Sequence, residues 1–401
     1  MAGAAGTLSA APNHRTKPLD SPGRAPESAT PLPVVGFIRH LWLSPSETFI
    51  HSSATALDRY RVSVLALRRL SATRFPMADL TVLNEQRWGR LDAALYDLTT
   101  WSPHFFKWAR TVKLLHAHMG PTGVHALLAS RRLGLPLVTS YYGFDVTLLA
   151  SSDRFRRPFW HYALRHEALF QQADRILVLS EHMKRALLAQ GAREDRLRIV
   201  RLGVDLKRFL PRARPSTAGA LEVLMVGREV EKKGFDDGLR ACALARDGGC
   251  ELKVRILGLA MPGQVALRAL ADELGLDVDW LDPTTRTALA MSRADVLLCP
   301  SRTASNGDQE GTPTVICEAG ASGLAIISTR HAGIPEQIDD GRSGLLSDER
   351  DVASMAKHLI DLGRSPELRF ELGRAAVEKM QNEYSFEAHR ESLQRVYDPL
   401  I

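Results

Sequence analysis

Short apolar runs alternate with longer segments of helical spacing along most of this chain. The runs in the first half are residues 62–67, 112–116, 137–140, 175–179 and 197–200. Such runs, separated by helical stretches, are typical of parallel strands that are buried on both faces. The first half therefore predicts a parallel α/β sheet.

The same alternation starts again after a segment rich in Arg, Pro, Ser and Gly at residues 211–219. The apolar runs of the second half are residues 222–227, 252–257, 278–281, 294–301 and 324–328. A repeated Ala-Asp pair, 173–174 and 294–295, precedes a Ser at equal spacing, Ser180 and Ser301, and suggests corresponding late strands in two similar sheets. Helical spacing from 351 to 396 predicts a final helical segment that packs back on the first domain.

The expected organisation is therefore a pair of Rossmann-like domains. We predict a disordered leader at 1–33, a first domain at 34–205 and a linker at 206–220. A second domain at 221–383 and a returning helix at 384–401 would follow.

Composition is that of a soluble globular protein, with 45% hydrophobic and 24% charged residues over 401 positions. Four cysteines without zinc-like spacing suit a reducing cytoplasm, and there is no run of 18 apolar residues.

The charge is uneven: the first 200 residues carry 26 Lys and Arg against 15 Asp and Glu, and the remainder 26 against 31. A basic half favours an anionic partner, which could be lipid headgroups, a lipid diphosphate or nucleic acid. The alternative interpretation is a solvated surface with excess arginine and no such partner.

Two carboxylates, Glu310 and Glu318, flank the start of a predicted helix after the apolar run 294–301. Pro313 suits the first helical position, so Gly311 and Thr312 would lie just before the N-terminus of the helix, where free N–H groups attract phosphate. Glu310 would then lie near the group that the phosphate carries, and Glu318 within reach of ribose hydroxyls. Because ligands bind at the carboxyl ends of parallel strands, this segment predicts a sugar-nucleotide site.

Two cations belong to the same predicted site. Arg228 and Lys233 follow the run 222–227, with Gly227 at its end. Together they would stabilise the negative charge of a departing diphosphate.

These motifs resemble the retaining glycosyltransferases of family 4, which have the GT-B fold of two Rossmann-like domains facing a central cleft. The resemblance spans about residues 34–397. It is carried by Glu310 to Glu318 and by the shorter motifs Gly227-Arg228, Lys233-Gly234, Ala294-Asp295, Pro300-Ser301 and Gly333-Ile334-Pro335-Glu336. Ser46-Glu47-Thr48-Phe49 and Gly307-Asp308-Gln309-Glu310 look like the branch that builds bacterial exopolysaccharides, capsules and colanic acid-type glycans.

The resemblance implies that the domain at 34–205 binds the acceptor and that the domain at 221–383 binds the nucleotide sugar. It also implies site residues. Arg228 and Lys233 would bind the donor diphosphate, Glu310 would contact the transferred sugar and Glu318 would hold the ribose. His118 matches a family position near the reaction centre, so the implied catalytic set is His118, Glu310, Arg228 and Lys233. Thr48, Tyr142 and Asp145 are expected on the acceptor side, although Tyr142 stands where a His is common and Leu202 where an Asn is usual.

No metal site and no cofactor are expected beyond the donor, such as UDP-hexose or GDP-mannose. Asp277 and Asp279 form a D-x-D pattern, but it lies at the start of a predicted strand, at the opposite edge from Glu310. The mixed basic and aromatic segment 154–162 suits a membrane interface, nucleic-acid stacking or simple packing.

The sequence therefore predicts a retaining, metal-independent hexosyltransferase, cytoplasmic and bound to the inner face of the plasma membrane. It would extend a lipid-linked bacterial polysaccharide or glycolipid. A soluble small-sugar or glucan synthase and a nucleotide-sugar epimerase are alternatives on the same fold. Nucleic-acid binding is disfavoured, because no recognised nucleic-acid module accompanies the charge.

Overall fold

The computed structural model of the protein describes residues 31–44, 47–70, 73, 75–150, 152–155, 159–211, 219–258, 264–282 and 286–401. Residues 1–30 of the predicted leader, Ser46 and residues 212–218 of the predicted linker lie outside the described residues. Residues 33–401 belong to one compact unit. Among the described helices, none has the length and apolar character needed to cross a bilayer.

The first half of the chain forms a sheet whose described strands are all parallel. They are β1 (Val34–Trp42), β2 (Arg61–Arg69), β3 (Leu80–Val82), β4 (Leu114–His118), β5 (Leu137–Ser140), β6 (Arg175–Val178) and β7 (Leu197–Ile199). The spatial order is β3-β2-β1-β4-β5-β6-β7. The order reverses between β1 and β4, where Val35 lies opposite Leu114. Such a reversal is the switch point at which doubly wound sheets bind ligands.

The second half repeats this topology with its described strands. They are β8 (Leu221–Val226), β9 (Leu252–Leu257), β10 (Val278–Leu281), β11 (Val296–Cys299), β12 (Ala325–Thr329) and β13 (Leu345–Ser347). Their order is β10-β9-β8-β11-β12-β13, again parallel, so the switch point lies between β8 and β11. Both sheets thus follow the Rossmann order 3-2-1-4-5-6 when each is counted from its own first strand.

Helices cover both sheets. Those of the first half are α1 (Thr48–Ala56), α2 (Gly89–Thr99), α3 (Pro103–Ala109), α4 (Gly120–Leu133), α5 (Phe144–Thr147), α6 (Trp160–Gln172) and α7 (Glu181–Ala189). Those that follow are α8 (Phe235–Asp247), α9 (Gln264–Glu273), α10 (Thr287–Ser292), α11 (Thr314–Ala321), α12 (Ile334–Gln337), α13 (Val352–Arg364), α14 (Pro366–Glu383) and α15 (Phe386–Tyr397). Alternate residues of β1 enter different cores, Phe37 on one face and Ile38 on the other, so the first sheet is buried on both faces.

The predicted α/β architecture of two parallel sheets is confirmed, and each predicted apolar run contains a strand. Three strands had no counterpart in the sequence prediction: β1, β3 and β13. β1 contains Arg39 and His40, which interrupt its apolar pattern, and the other two are only three residues long.

The Ala-Asp repeat was wrongly interpreted as marking corresponding strands. Asp174 precedes the sixth strand of its sheet and Asp295 the fourth of its own. What the two share is local: each carboxylate accepts the N–H of the neighbouring strand, from Leu137 at 2.9 Å and from Glu222 at 3.1 Å. The repeat therefore marks the same local contact at the start of two strands. The similarity of the two sheets is shown by their strand order and not by this repeat.

Helix α15 crosses back to the first half, as predicted. The Tyr397 hydroxyl lies 2.5 Å from Nδ1 of His116 on β4, and Nε2 of His389 lies 2.7 Å from the Ser53 hydroxyl on α1. Arg59 also pairs with Asp398 at 2.9 Å. The apolar side of α15 thereby completes a core of the first sheet.

Candidate active site

The candidate site lies at the switch point of the second sheet. Gly227 follows β8, and Pro300 and Ser301 follow β11, the two strands between which the order reverses. The long connection from β11 to α11 carries Glu310, and the short one from β8 to α8 carries Lys233. The topology brings these two connections together, as the sequence predicted from their place after strands.

Lys233 and Glu310 form a buried ion pair at this point, with Nζ 3.0 Å from Oε1. Burial alone would lower the pKa of Lys233, but the Glu310 carboxylate outweighs it and holds that pKa above its ordinary value. Burial would likewise raise the pKa of Glu310, but Lys233 and then Lys232 hold it below the ordinary value. Both groups are therefore charged at neutral pH.

The connection before Glu310 is held by residues that the sequence reasoning did not single out. Lys232 is buried, and its ammonium donates to Asp308 Oδ1 and to the Gln309 carbonyl, each at 3.0 Å. The backbone N–H of Glu310 donates to Nε2 of His331 at 3.0 Å. The sequence signal for this support was the adjacent pair Lys232-Lys233. In the structure Lys232 contacts the loop before Glu310, and Lys233 contacts the Glu310 carboxylate.

His331 is itself fixed by an acidic partner. Its Nδ1 lies 2.6 Å from Glu349 Oε1, so Nδ1 carries the proton and Nε2 accepts the Glu310 N–H. Glu349 also accepts the backbone N–H of Thr303 at 2.8 Å. Burial opposes ionisation of Glu349, but the bonds from Thr303 and His331 prevail, and its pKa is lowered. This chain of contacts fixes the backbone on which Glu310 stands.

Helix α11 begins at Thr314, one residue later than expected, which corrects the predicted position of Pro313. Pro313 is the residue before the helix, with extended backbone at φ −61° and ψ 115°. Gly311 and Thr312 precede it, both buried, and the Thr312 hydroxyl has no hydrogen-bond partner among the described residues. The N–H groups of the first turn still face this connection.

Glu318 lies one turn inside α11, beside a small cavity. The cavity, of about 90 Å³, is also lined by Thr48, Asp205, Arg208 and Thr314. Burial raises the pKa of Glu318 to about 7, against the opposing charge of Arg208. Thr48, predicted on the acceptor side, thus shares a cavity with Glu318, predicted on the donor side.

The two halves of the chain meet at paired glycines. A Cβ on Gly311 would lie 2.6 Å from the Tyr142 carbonyl oxygen, and one on Gly143 would lie 2.8 Å from the Gly311 nitrogen. Only glycine permits this approach, which brings Tyr142 and Gly143 against the Glu310 connection. Glu336 makes a second link, accepting the N–H of Glu181 at the start of α7 at 2.9 Å.

His118 is buried behind Tyr142. Its Nδ1 lies 2.6 Å from the Tyr142 hydroxyl, and its buried Nε2 has no partner among the described residues. Burial, with the neighbouring His116, lowers the pKa of His118 well below its ordinary value, so the ring is neutral. Tyr142 therefore stands between His118 and the connection that carries Glu310.

The carboxylate of Asp145 accepts hydrogen bonds from the backbone. Its buried carboxylate accepts N–H groups from Gly120 at 3.0 Å, Tyr142 at 2.9 Å and Gly143 at 3.1 Å. Burial raises its pKa, which these three bonds oppose. The geometry gives Asp145 a positioning task, since it joins the start of α4 to the glycine that touches Gly311.

Arg228 is exposed beside Lys233, and its charge opposes the protonation of that lysine. Asp279 of the D-x-D pattern lies on the outer strand β10 and pairs with Arg255 at 3.4 Å. Within the basic aromatic segment, residues 156–158 are outside the described residues, Phe155 is exposed, and His161 and Tyr162 are buried in α6.

Comparisons with known proteins agree with this geometry. The family model described as Glycosyl transferases group 1 matches residues 207–379, and the model Glycosyltransferase Family 4 matches residues 46–208. WcaL of Escherichia coli K12, named for colanic acid biosynthesis, is 33% identical over 61% of this chain, and the aligned part spans only 59% of WcaL.

Two further comparisons cover more of the chain. A D-inositol 3-phosphate glycosyltransferase of Saccharomonospora viridis is 31% identical over 71% of this chain and 69% of its own length. The solved structure of Anabaena Alr3699/HepE in complex with UDP shares the fold, with a TM-score of 0.72 at 18% identity over 92% of this chain and 100% of that one. The chain therefore belongs to glycosyltransferase family 4.

Proposed function

We propose that this protein is a retaining hexosyltransferase that uses a nucleotide diphosphate sugar to extend a lipid-linked bacterial polysaccharide or glycolipid. The observation that carries the proposal is the ionised Lys233–Glu310 pair, held at the switch point of the second sheet. The relative named for colanic acid biosynthesis supports the polysaccharide acceptor, and the UDP complex of HepE supports the donor class.

On the donor side, Arg228 and Lys233 would bind the diphosphate, with the N–H groups before α11 as further donors. Glu318 would accept bonds from the ribose hydroxyls through its cavity. The negative charge that develops on the leaving phosphate would be stabilised by these fixed cations, so that no metal ion is needed.

Glu310 is suited to orient the transferred sugar. Its carboxylate is already paired with Lys233, and its backbone is fixed through His331, which suits a hydrogen-bonding role better than attack on carbon. We infer that the leaving phosphate accepts the proton of the acceptor hydroxyl on the same face of the sugar, which retains the anomeric configuration. His118, neutral and in contact with the Tyr142 hydroxyl, would assist by hydrogen bonding.

Donor binding is tested by thermal shift with UDP-glucose, GDP-mannose and ADP-glucose, because a ligand of the native state raises its melting temperature. One sugar nucleotide should stabilise the wild type but not Lys233→Ala. Lys253→Ala is the matched control, since Lys253 is an exposed lysine of the same sheet. If no sugar nucleotide shifts the wild type, or if Lys233→Ala keeps the full shift, the donor assignment is wrong.

Retention is tested on the product. An α-linked donor should give an α-linked product by NMR in the presence of EDTA. A β-linked product would contradict the same-face mechanism, and complete loss of turnover in EDTA that Mg²⁺ restores would contradict metal independence. Conversion of the donor sugar to its epimer without an acceptor would instead identify the protein as a nucleotide-sugar epimerase.

We further propose that the protein binds the inner face of the plasma membrane. This part of the proposal rests on the exposed surface of helix α2. Trp88 just before it is 70% exposed, and Leu91 and Leu98 on it are 67% and 48% exposed. Arg87 and Arg90 lie beside them in the sequence, so the surface offers apolar side chains with cations. This combination suits the inner, anionic face of the plasma membrane.

Vesicle flotation tests this surface. Binding should require anionic lipid and should fall in a double variant Leu91→Gln and Leu98→Gln, whereas Leu244→Gln, at an exposed leucine of α8, should leave it unchanged. Equal binding to neutral and anionic vesicles would contradict recognition of an anionic surface, and full activity on a soluble acceptor alone would favour the soluble synthase.

A further inference from the structure

A group of imidazoles lies at the switch point of the first sheet, apart from the Lys233–Glu310 pair. His40 is near the end of β1, Asp97 is on α2 and His125 is on α4. One ligand atom from each lies within 4.8 Å of the other two. A third imidazole, His161 of α6, packs with its ring centroid 5.0 Å from that of His125. We call these four residues the histidine cluster.

The hydrogen bonds leave lone pairs in the cluster without donors. Nδ1 of His125 lies 3.0 Å from the Pro121 carbonyl, so it carries the proton and Nε2 keeps a bare lone pair. The His125 side chain is 0% exposed, and its Nε2 has no partner among the described residues. A buried polar atom without a partner costs free energy, which a ligand at this point would recover.

The other two histidines also have one ring nitrogen without a partner among the described residues. Nδ1 of His40 lies 3.0 Å from the Thr122 hydroxyl, and its Nε2 is buried without a partner among the described residues. Nε2 of His161 lies 3.0 Å from the backbone carbonyl of Asp97, which leaves Nδ1 as the bare atom, again buried. Three neighbouring imidazoles thus each hold one nitrogen by a polar contact and leave the other free.

We propose that the histidine cluster binds one divalent transition-metal ion, with His40, His125 and Asp97 as ligands. Two imidazoles and a carboxylate form a ligand set suited to Zn²⁺, with a fourth position for water or for Nδ1 of His161. Tetrahedral Zn²⁺ with bonds of about 2.0–2.1 Å sets neighbouring ligand atoms roughly 3.3 Å apart, so side-chain rotation must close a gap of at most about 1.5 Å.

The same ligands select against the common hard cations. Mg²⁺ and Ca²⁺ prefer oxygen donors, and two of the three ligands here are nitrogen. The bound ion would join β1, α2 and α4 and would contribute to the stability of the first half. It would act as a structural ion, independent of the donor site on the second sheet.

The test uses the full chain, stripped with a chelator and titrated with Co²⁺. Tetrahedral Co²⁺ absorbs strongly in the visible range, whereas the hydrated octahedral ion absorbs weakly. We expect one Co²⁺ per chain, displaced by Zn²⁺ but not by excess Mg²⁺, and a rise of several degrees in melting temperature with Zn²⁺.

Three variants locate the ion. His125→Gln and Asp97→Asn should each weaken Zn²⁺ binding by about 100-fold or more, because each removes a direct ligand. His358→Gln, which removes a partly buried imidazole of the second half, should leave affinity within about twofold. Far-UV circular dichroism verifies folding, and if His125→Gln fails to fold, the partly exposed Asp97→Asn decides alone.

The proposal is overturned if the wild type shows no intense Co²⁺ absorption, or if Asp97→Asn binds Zn²⁺ as tightly as His358→Gln does. Failure of this test would leave the donor and acceptor experiments unaffected, because none of the cluster residues belongs to the donor site.

Discussion

Replacing Glu318 with glutamine separates the stability of the protein from its donor affinity. In the folded state the carboxyl has a pKa of about 7, mainly because of burial, against an ordinary value of 4.5. A raised carboxyl pKa stabilises the fold below the ordinary value, and that stability is lost as pH rises through about 7. The ionised carboxylate that should accept hydrogen bonds from ribose hydroxyls is thus the form that burial disfavours.

The magnitudes follow from that difference. At about 1.4 kcal/mol for each tenfold change in proton affinity, the titration of Glu318 lowers the free energy of unfolding by about 3 kcal/mol at pH 8 and by about 1 kcal/mol at pH 5, relative to a side chain that does not titrate. Glu318→Gln should therefore be more stable than the wild type, by more at pH 8 than at pH 5. If donor binding requires the carboxylate, wild-type affinity should fall about tenfold from pH 8 to pH 6.

Urea unfolding at pH 5 and pH 8 measures the first effect, and calorimetric titration with the stabilising sugar nucleotide measures the second. Glu371→Gln is the matched control, because it removes an exposed glutamate of α14. A stability gap between wild type and Glu318→Gln that is the same at both pH values would refute the burial argument. A donor affinity that does not change with pH would refute the ribose role.

Further predictions follow from the same geometry. Lys233→Ala should lower kcat about 10²- to 10³-fold in steady-state assays, because a fixed donor to the leaving group is lost, and a decrease below threefold would argue against that role. Asp145→Asn should lower the free energy of unfolding by about 1–3 kcal/mol in urea, because the amide cannot accept all three N–H groups, and unchanged stability would contradict its positioning task. Gly311→Ala should reduce kcat while donor binding persists, because its Cβ would meet the Tyr142 carbonyl at 2.6 Å; wild-type kcat would show that this approach is not needed for turnover.

The fold was predictable because parallel strands buried on both faces leave continuous apolar runs in the sequence. The Lys233–Glu310 pair was predictable for the same reason, since both residues follow strands that meet at a switch point. β1 was missed because its charged and polar residues near the carboxyl end break the apolar pattern.

The contacts that support the site could not be predicted in this way. His331 and Glu349 hold the backbone of Glu310 through hydrogen bonds that join segments far apart in the chain. The histidine cluster likewise draws its members from one strand and three helices, so no local spacing marks it. Such contacts depend on tertiary packing, which a pattern of period two or 3.6 does not encode.

Helix α15 has a consequence for exchanging parts between members of this family. It follows the second sheet in the chain, yet Tyr397 and His389 make their contacts with β4 and α1 of the first. A chimera made by a single crossover between the sheets would set a foreign α15 against the resident first half and would break those contacts. Two crossovers, near residues 211–219 and near Ser385, would keep α15 with its own partner, so donor preference could be transplanted without unsettling the half that is proposed to receive the acceptor.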